Sequence, residues 1–246
     1  MPIGVPRVCF RLPGDEEETW IDIYNRLYRQ RIFFVGKRID SMLAGQIGCM
    51  FVYLNIDDKT MEFFMYINSP GGGVIGGMSI YDAMQTVEAD VTTICFGKAV
   101  SIASFILHGG EIGKRLAFTN SKIMIHQPGS DLFICQSGEY LLENDGIFRL
   151  RDLITRIYAQ RTGKSYEVIS SDLNRDEYMS AQEAIKYGII DDLAIDGLTG
   201  VINKPKPIVE WPKYHPRRGI SDQWIDVDGS LSNSPPLHLS YFTYPR

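Results

Sequence analysis

Apolar runs of five to seven residues alternate with longer stretches of mixed polarity along most of this chain. The short runs are rich in β-branched and aromatic residues, which is typical of buried strands, whereas the longer stretches repeat apolar residues at helical spacing. Strands are predicted at residues 32–36, 61–67, 91–96, 122–126 and 189–195. Helices are predicted at residues 15–31, 40–54, 76–87, 101–108, 139–160, 165–173 and 180–188. Because strands that alternate with helices build right-handed βαβ units, the pattern predicts an α/β fold with a largely parallel sheet.

The alternating pattern is limited to the middle of the chain, which predicts three regions. Residues 1–17 are interpreted as an irregular N-terminal arm and residues 18–196 as one folded domain. Residues 197–246 contain seven of the twelve prolines and few apolar residues at regular spacing. This composition predicts a flexible C-terminal extension, with enough aromatic residues for part of it to dock on the folded domain or on a partner.

The composition is that of an ordinary globular protein, and it narrows the classes of function. With a net charge of −5 and a pI near 5.4, the chain has no overall basic charge that would point to nucleic acid. It has no apolar run of the roughly 18 residues that a membrane span needs, and its first residues resemble neither a signal peptide nor a transit peptide. The four histidines lack metal-ligand spacing, so no metal site is predicted. The four cysteines form no C-x-x-C pair and are interpreted as reduced, mostly buried thiols.

Ser101 stands between a predicted strand and a predicted helix. The β-branched run 91–96 leads into it, and the apolar run 102–107 follows it. Serine at such a junction is most often a helix N-cap. The same position also exposes a hydroxyl at the end of a rigid element, beside the free N–H groups of a helix N-terminus. The sequence around Ser101 therefore leaves two interpretations open, a helix cap and a catalytic nucleophile.

A second loop, Ser69–Gly73, also joins a strand to a helix, and its glycines let the backbone approach a ligand closely. It lacks the lysine-serine ending of a phosphate-binding P-loop and only loosely resembles the dinucleotide fingerprint. We favour an oxyanion hole, with the Gly72 N–H as one donor and the Ile102 N–H, directly after Ser101, as the other.

His126 ends the predicted strand 122–126 and so lies at its carboxyl end, where catalytic side chains of α/β sheets gather. If Ser101 is a nucleophile, His126 is the natural general base. The carboxylate that orients it is expected on a loop, where packing shields it from solvent. Asp176 fits, and Asp172 and Glu177 compete with it, because helical spacing does not choose among the three.

These residues lie in five blocks that resemble the proteolytic subunits of the ATP-dependent Clp protease. The blocks are Tyr66–Gly72, Gly77–Asp82, Ile94–Ser101, Met124–Pro128 and Arg175–Ala181. They follow the family's order and spacing from about residue 18 to residue 195. Two further stretches, Met1–Pro6 and Trp20–Tyr28, are similar to the plastid-encoded form.

The resemblance implies a serine endopeptidase that cuts unfolded proteins into small peptides, with no cofactor and no metal. It implies that Ser101 is the nucleophile, His126 the base and Asp176 the orienting acid, with Gly72 and Ile102 as oxyanion donors. It implies a crotonase-like fold, an axial loop within residues 1–17 and a handle at about residues 129–160. In this family the handles join two seven-membered rings of Clp subunits, and an ATP-driven unfoldase feeds the chamber.

The resemblance also implies a location, the chloroplast stroma, with the bacterial cytoplasm as the alternative, and no nucleic-acid or membrane partner. Val100 and Ile102 stand where the family has alanine and methionine, and Thr86 where it often has an aromatic residue. These differences leave open a second hypothesis, a ring subunit that is catalytically weak or inactive. A third hypothesis, a crotonase-type acyl-CoA enzyme, would bring a carboxylate such as Glu111 to the site.

Overall fold

The computed structural model describes residues 4–10, 19–129 and 136–194, together with the backbone of two short strands near the C-terminus. The chain divides into two units, Met1–Pro207 and Ile208–Arg246. In the first unit the strands are β1 (Arg7–Phe10), β2 (Thr19–Asp22), β3 (Ile32–Val35), β4 (Phe63–Ser69), β5 (Val91–Val100), β6 (Arg115–Ala117), β7 (Lys122–Ile125), β8 (Glu177–Ser180) and β9 (Asp192–Leu193). The helices are α1 (Ile23–Arg29), α2 (Ser41–Asp57), α3 (Val74–Thr86), α4 (Ile102–His108), α5 (Ser137–Thr162), α6 (Tyr166–Asp172) and α7 (Ala181–Tyr187).

The main sheet has the order β3-β4-β5-β6-β9, and every pair along this path is parallel. The predicted α/β class with a largely parallel sheet is therefore confirmed. β5 is the longest of the described strands, and its two halves pair with different strands. Thr93–Cys95 pair with β6, whereas Lys98–Val100 pair with β7. Between the two halves Gly97 adopts φ +92°, a conformation that glycine tolerates best, and this bend directs the end of β5 toward β7.

Several short elements differ from the prediction. Thr19–Asp22, predicted as helix, forms β2 and pairs antiparallel with β1, so pairing with a neighbouring segment overrides the helical spacing. The helix begins only at Ile23, with the Asp22 carboxylate accepting a hydrogen bond from the Asn25 N–H at 2.9 Å. β1, β6 and β8 were not predicted, because three or four residues carry too little pattern, and β1 lies in the arm that was expected to be irregular. The predicted strand 189–195 contracts to Asp192–Leu193 within the described residues.

The core lies where the helices pack on the main sheet. Phe33, Phe51 and Phe63 are fully buried, and their rings contact one another at centroid distances of 4.9–5.8 Å. All seven residues of α4 are buried, so this helix runs through the interior. Because α4 follows Ser101 directly, the packing around it holds the serine in place.

The cysteine prediction is only partly correct. Cys95 is buried, and burial raises the pKa of its thiol to about 11. Cys9 and Cys49 are exposed, so the expectation of mostly buried thiols is wrong for both, and Cys135 lies outside the described residues. In the part of the chain that the structure describes, no helix is both long and apolar enough to cross a membrane.

In the second unit, β10 (Trp224–Ile225) and β11 (Leu231–Ser232) pair antiparallel. These two strands lie within the region predicted as an irregular extension and were not predicted. Other predictions fall outside the described residues: the start of the first helix at 15–18, most of the 1–17 arm, the domain boundary at 196 and the rest of 197–246.

Candidate active site

Ser101 occupies a sharp turn between β5 and α4. Its backbone has φ 58° and ψ −127°, a combination that costs a residue with a side chain on the order of 1–3 kcal/mol. A hydrogen bond from its own N–H to the Met124 carbonyl (2.9 Å) helps to hold it there. Its hydroxyl makes no capping bond to α4. The side chain thus does not act as a helix cap but lies free of the helix that it precedes.

His126 lies one residue after the end of β7, and the Ser101 hydroxyl is directed at it. The Ser101 Oγ is 2.8 Å from Nε2 of His126, and Nδ1 of the same ring is 3.0 Å from Oδ1 of Asp176. A carboxylate only accepts hydrogen bonds, so Nδ1 carries the proton and donates to Asp176. Nε2 is then the acceptor for the serine hydroxyl. This is the order of hydrogen bonds that a serine nucleophile, a histidine base and an orienting acid require.

The structure separates the three carboxylates that the sequence left open. Asp172 accepts a hydrogen bond from the Tyr187 hydroxyl at 2.7 Å, and Glu177 pairs with Arg175 at 3.4 Å. Among these three, Asp176 alone bonds to His126. Its side chain is 61% exposed, so the expectation that packing would shield the acid from solvent is wrong for the isolated chain. The reason is its place on the surface loop between α6 and β8.

The Ser69–Gly73 loop reaches the serine through two glycines. A Cβ added to Gly71 would lie 2.7 Å from the Val100 carbonyl oxygen and 2.9 Å from Cβ of Ser101, so only a glycine fits against the turn. Gly72 is held by a bridge to Ile39, and a Cβ there would overlap the Ile39 backbone. Both glycines have positive φ, +90° and +156°. Within the described residues the Gly72 N–H has no hydrogen-bond acceptor.

Ile102 is the first residue of α4, and its N–H has no acceptor within the helix. This N–H belongs to the start of α4 and that of Gly72 to the Ser69–Gly73 loop, and both segments meet at Ser101. The branched side chain of Ile102 is buried and packs on Gly77, where a Cβ would overlap it. Val100 pairs in regular register with Met124. Neither of the two residues flanking Ser101 separates its hydroxyl from His126.

A small apolar pocket adjoins the serine and the histidine. Its walls come from α3, α4, α5 and the loop after β7; the lining residues are Val74, Ser101, Ile102, Phe105, His126, Pro128, Ile154 and Tyr158. The residues from α5 were missed by sequence reasoning. Ile154 is one of the apolar residues of the predicted helix 139–160, but nothing in the sequence indicated which other helix it contacts.

The third hypothesis, a crotonase-type enzyme, fits the geometry less well. The Glu111 N–H bonds to the carbonyl of Val91, which begins β5, whereas Ser101 follows its other end. A ten-residue strand is roughly 30 Å long, so a crotonase-type carboxylate is not brought to the site. Among residues 4–10, 19–129 and 136–194, no group of three or more His, Cys, Asp or Glu side chains is placed to hold a metal ion.

Comparisons with known proteins point to one family. The family described as Clp protease matches residues 15–196. An ATP-dependent Clp protease proteolytic subunit of the alga Staurastrum punctulatum is 54% identical over 196 residues, covering 80% of this chain and 98% of that protein. The subunit of Nicotiana tabacum is 53% identical over 196 residues, covering 80% of this chain and all of that protein. The chloroplastic ATP-dependent Clp protease proteolytic subunit 1 of Arabidopsis thaliana is 54% identical over 195 residues, covering 79% and 100%.

Proposed function

Since this chain belongs to the Clp protease family, we propose that it is a serine endopeptidase subunit that hydrolyses unfolded proteins to small peptides. The observation that carries the proposal is the chain of hydrogen bonds from the Ser101 hydroxyl through His126 to Asp176. The strained backbone of Ser101 supports it as well, because strain of this kind concentrates at functional sites.

In the proposed mechanism His126 removes the proton from the Ser101 hydroxyl as the oxygen attacks a peptide carbonyl. The Asp176 carboxylate holds the imidazole in the required tautomer and stabilises its positive charge. The backbone N–H groups of Gly72 and Ile102 donate to the oxyanion that forms on the carbonyl oxygen. His126 then gives its proton to the leaving amine, and an acyl-enzyme remains on Ser101.

The second half of the reaction uses the same groups. Water enters, His126 removes one of its protons, and the hydroxide attacks the acyl carbon. The oxyanion forms again at the N–H groups of Gly72 and Ile102. The Ser101 oxygen then leaves and recovers its proton from His126, which restores the starting state.

The proposed setting is a double ring of Clp-type subunits served by an ATP-driven unfoldase. The relatives are named as subunits of an ATP-dependent protease, and this chain has no nucleotide-binding motif of its own, in keeping with ATP use by a partner. α5, which corresponds to the proposed handle, exposes apolar side chains as subunit contacts do: Tyr140, Leu141, Leu142 and Phe148. The Arabidopsis relative is named chloroplastic, and we place this protein in the plastid stroma.

A serine-reactive fluorophosphonate probe tests the proposal on the purified full-length protein. Wild-type protein is expected to become labelled and to hydrolyse a fluorogenic peptide, and Ser101→Ala is expected to lose both. Ser79→Ala is the matched control, because Ser79 lies on the exposed side of α3 and, among the residues that the structure describes, bonds only to the Ile75 carbonyl. Absence of labelling in folded, assembled wild-type protein would favour the structural-subunit hypothesis instead.

A further inference from the structure

The peptide group that joins Ser101 to Ile102 has two ends with different tasks. One end is the Ile102 N–H, the proposed oxyanion donor, and the other is the Ser101 carbonyl oxygen. The described peptide bonds are all trans, so this group is planar and its N–H and C=O point in opposite directions. Whatever holds the carbonyl oxygen therefore also sets the direction of the N–H.

Three donors reach the Ser101 carbonyl oxygen. The Ser104 hydroxyl is the nearest at 2.6 Å, the Ser104 N–H follows at 3.0 Å, and the Phe105 N–H, the regular helical donor, is 3.4 Å away. The regular bond is thus at the long limit of hydrogen-bond distances. The side chain of Ser104 supplies the closest contact that holds this peptide plane.

The Ser104 hydroxyl is itself held by a residue from another helix. Its oxygen is 3.1 Å from the hydroxyl oxygen of Tyr158 on α5. Because Ser104 has a single hydroxyl proton and gives it to the Ser101 carbonyl, Tyr158 is the donor in this second bond. Both side chains are buried, Ser104 fully and Tyr158 to all but 2%. Burial also raises the pKa of Tyr158, so the phenol keeps its proton.

The Tyr158 ring has little freedom to move. It stacks on the His108 ring at a centroid distance of 4.9 Å and meets the Phe105 ring edge-on at 5.6 Å. His108 in turn accepts a hydrogen bond from Arg115, at 3.0 Å between Nη1 and Nδ1. The phenol oxygen is thus kept in place by packing on α4 as well as by its bond to Ser104.

We propose that Ser104 and Tyr158 are positioning residues, which together fix the peptide plane that presents the Ile102 N–H to the oxyanion. This inference rests on the proposed function. The bonds run in one direction, from the Tyr158 hydroxyl to the Ser104 hydroxyl and on to the Ser101 carbonyl. Bonds in series polarise one another, so the chain also makes the Ile102 N–H a stronger donor. The Ile102 N–H stabilises the negative charge that develops in the transition state, so the chain of bonds affects kcat and leaves the binding of substrate unchanged.

Two substitutions test this with kcat and KM measured separately on the full-length protein. Tyr158→Phe removes only the phenol oxygen and is expected to lower kcat about 3-fold, and Ser104→Ala is expected to lower it about 10-fold, which corresponds to one hydrogen bond of ordinary strength. KM stays unchanged in both. The double variant is expected to be no slower than Ser104→Ala alone, because Tyr158 acts through Ser104.

Tyr187→Phe is the matched control. Its hydroxyl bonds to Asp172 at 2.7 Å, and in the described part of the chain no hydrogen bond joins it to Tyr158, Ser104 or Ser101, so its loss leaves kcat unchanged. Melting temperatures identify any variant that does not fold, and the nearly isosteric Tyr158→Phe decides the matter if Ser104→Ala does not. An unchanged kcat in Tyr158→Phe, or a change in KM alone, overturns this inference. Activity that survives in Ser101→Ala overturns the proposed function instead.

Discussion

Replacement of Asp176 by asparagine tests its proposed role as the acid that orients His126. The change keeps the size of the side chain and an oxygen that can accept from Nδ1 of His126, but it removes the negative charge. The amide also has an NH₂ group that, if it faces the ring, favours the tautomer with the proton on the other nitrogen. That tautomer could not accept the serine proton, so the rate of acylation is expected to fall.

The size of the loss follows from the exposure of the pair. A hydrogen bond to a charged group contributes about 1.5–3 kcal/mol. The Asp176 side chain is 61% exposed and that of His126 34% exposed, so solvent screening lowers the charge-dependent part to about 1–2 kcal/mol. Since about 1.4 kcal/mol corresponds to a tenfold change in rate, kcat should fall roughly 5- to 30-fold. This is far less than the loss of about 10⁴ seen in serine proteases whose acid is buried.

The assay measures initial rates of fluorogenic peptide hydrolysis by the full-length protein at saturating substrate. Asp172→Asn is the matched control, because that carboxylate is bound to Tyr187 and not to His126. It should leave kcat within about twofold of wild type, since its bond lies outside the serine–histidine pair. Glu177→Gln serves as a second control, since Glu177 pairs with Arg175.

Two results would refute the reasoning. If Asp176→Asn were no slower than Asp172→Asn, the carboxylate would have no part in orienting His126. If it lost about 10³-fold or more, the charge would act in a dry environment, and the magnitude derived from its exposure would be wrong.

The remaining predictions concern the glycine loop and a buried histidine. Gly72→Ala places a Cβ over the Ile39 backbone, 2.6 Å from its nitrogen, so the loop must shift. We expect kcat to fall about 100-fold through loss of one oxyanion donor. Gly48→Ala is the control and should leave kcat unchanged, because nothing lies within 4 Å of its Cβ. A Gly72→Ala variant as active as wild type would contradict the proposed role of the Gly72 N–H as an oxyanion donor. Burial, reinforced by two nearby arginines, holds the pKa of His108 well below its usual value. Below pH 6.5 His108 is therefore protonated in the unfolded chain but stays neutral in the folded chain. As the pH is lowered, the free energy of unfolding falls by about 1.4 kcal/mol per pH unit until the folded pKa is reached. Urea unfolding between pH 7 and pH 5.5 should show a shallower decline in His108→Phe than in wild type, and equal slopes would contradict the prediction.

The sequence alone led a long way toward the fold and the site. The alternating apolar pattern predicted the α/β class, and the strand-to-helix junction at Ser101 marked the candidate nucleophile. His126 was found because of its place at the end of a strand. These features are local, since strand and helix periodicity and the residues at element ends depend on near neighbours in the chain.

Other features were decided only when distant segments came together. Thr19–Asp22 became a strand because β1 lay beside it. Asp176 differs from Asp172 and Glu177 in its partner, since it alone of the three bonds to His126. The partner of each carboxylate depends on how α6, β8 and α7 pack. The contact of Tyr158 with Ser104 joins residues that lie on different helices, and no spacing in the sequence predicts it.

Ser101 shows what the sequence determines and what the tertiary structure decides. The sequence determined that a serine stands at a helix start after a buried strand, where both a cap and a nucleophile are chemically reasonable. Only the tertiary structure shows that the hydroxyl makes no cap, since it turns away from α4 and toward His126, and this favours the proposed nucleophile. The physical reason is that the direction of a side chain at a strained turn is set by what packs around it. Here that packing comes from β7, from the glycine loop and from α5, which lie far apart in the chain.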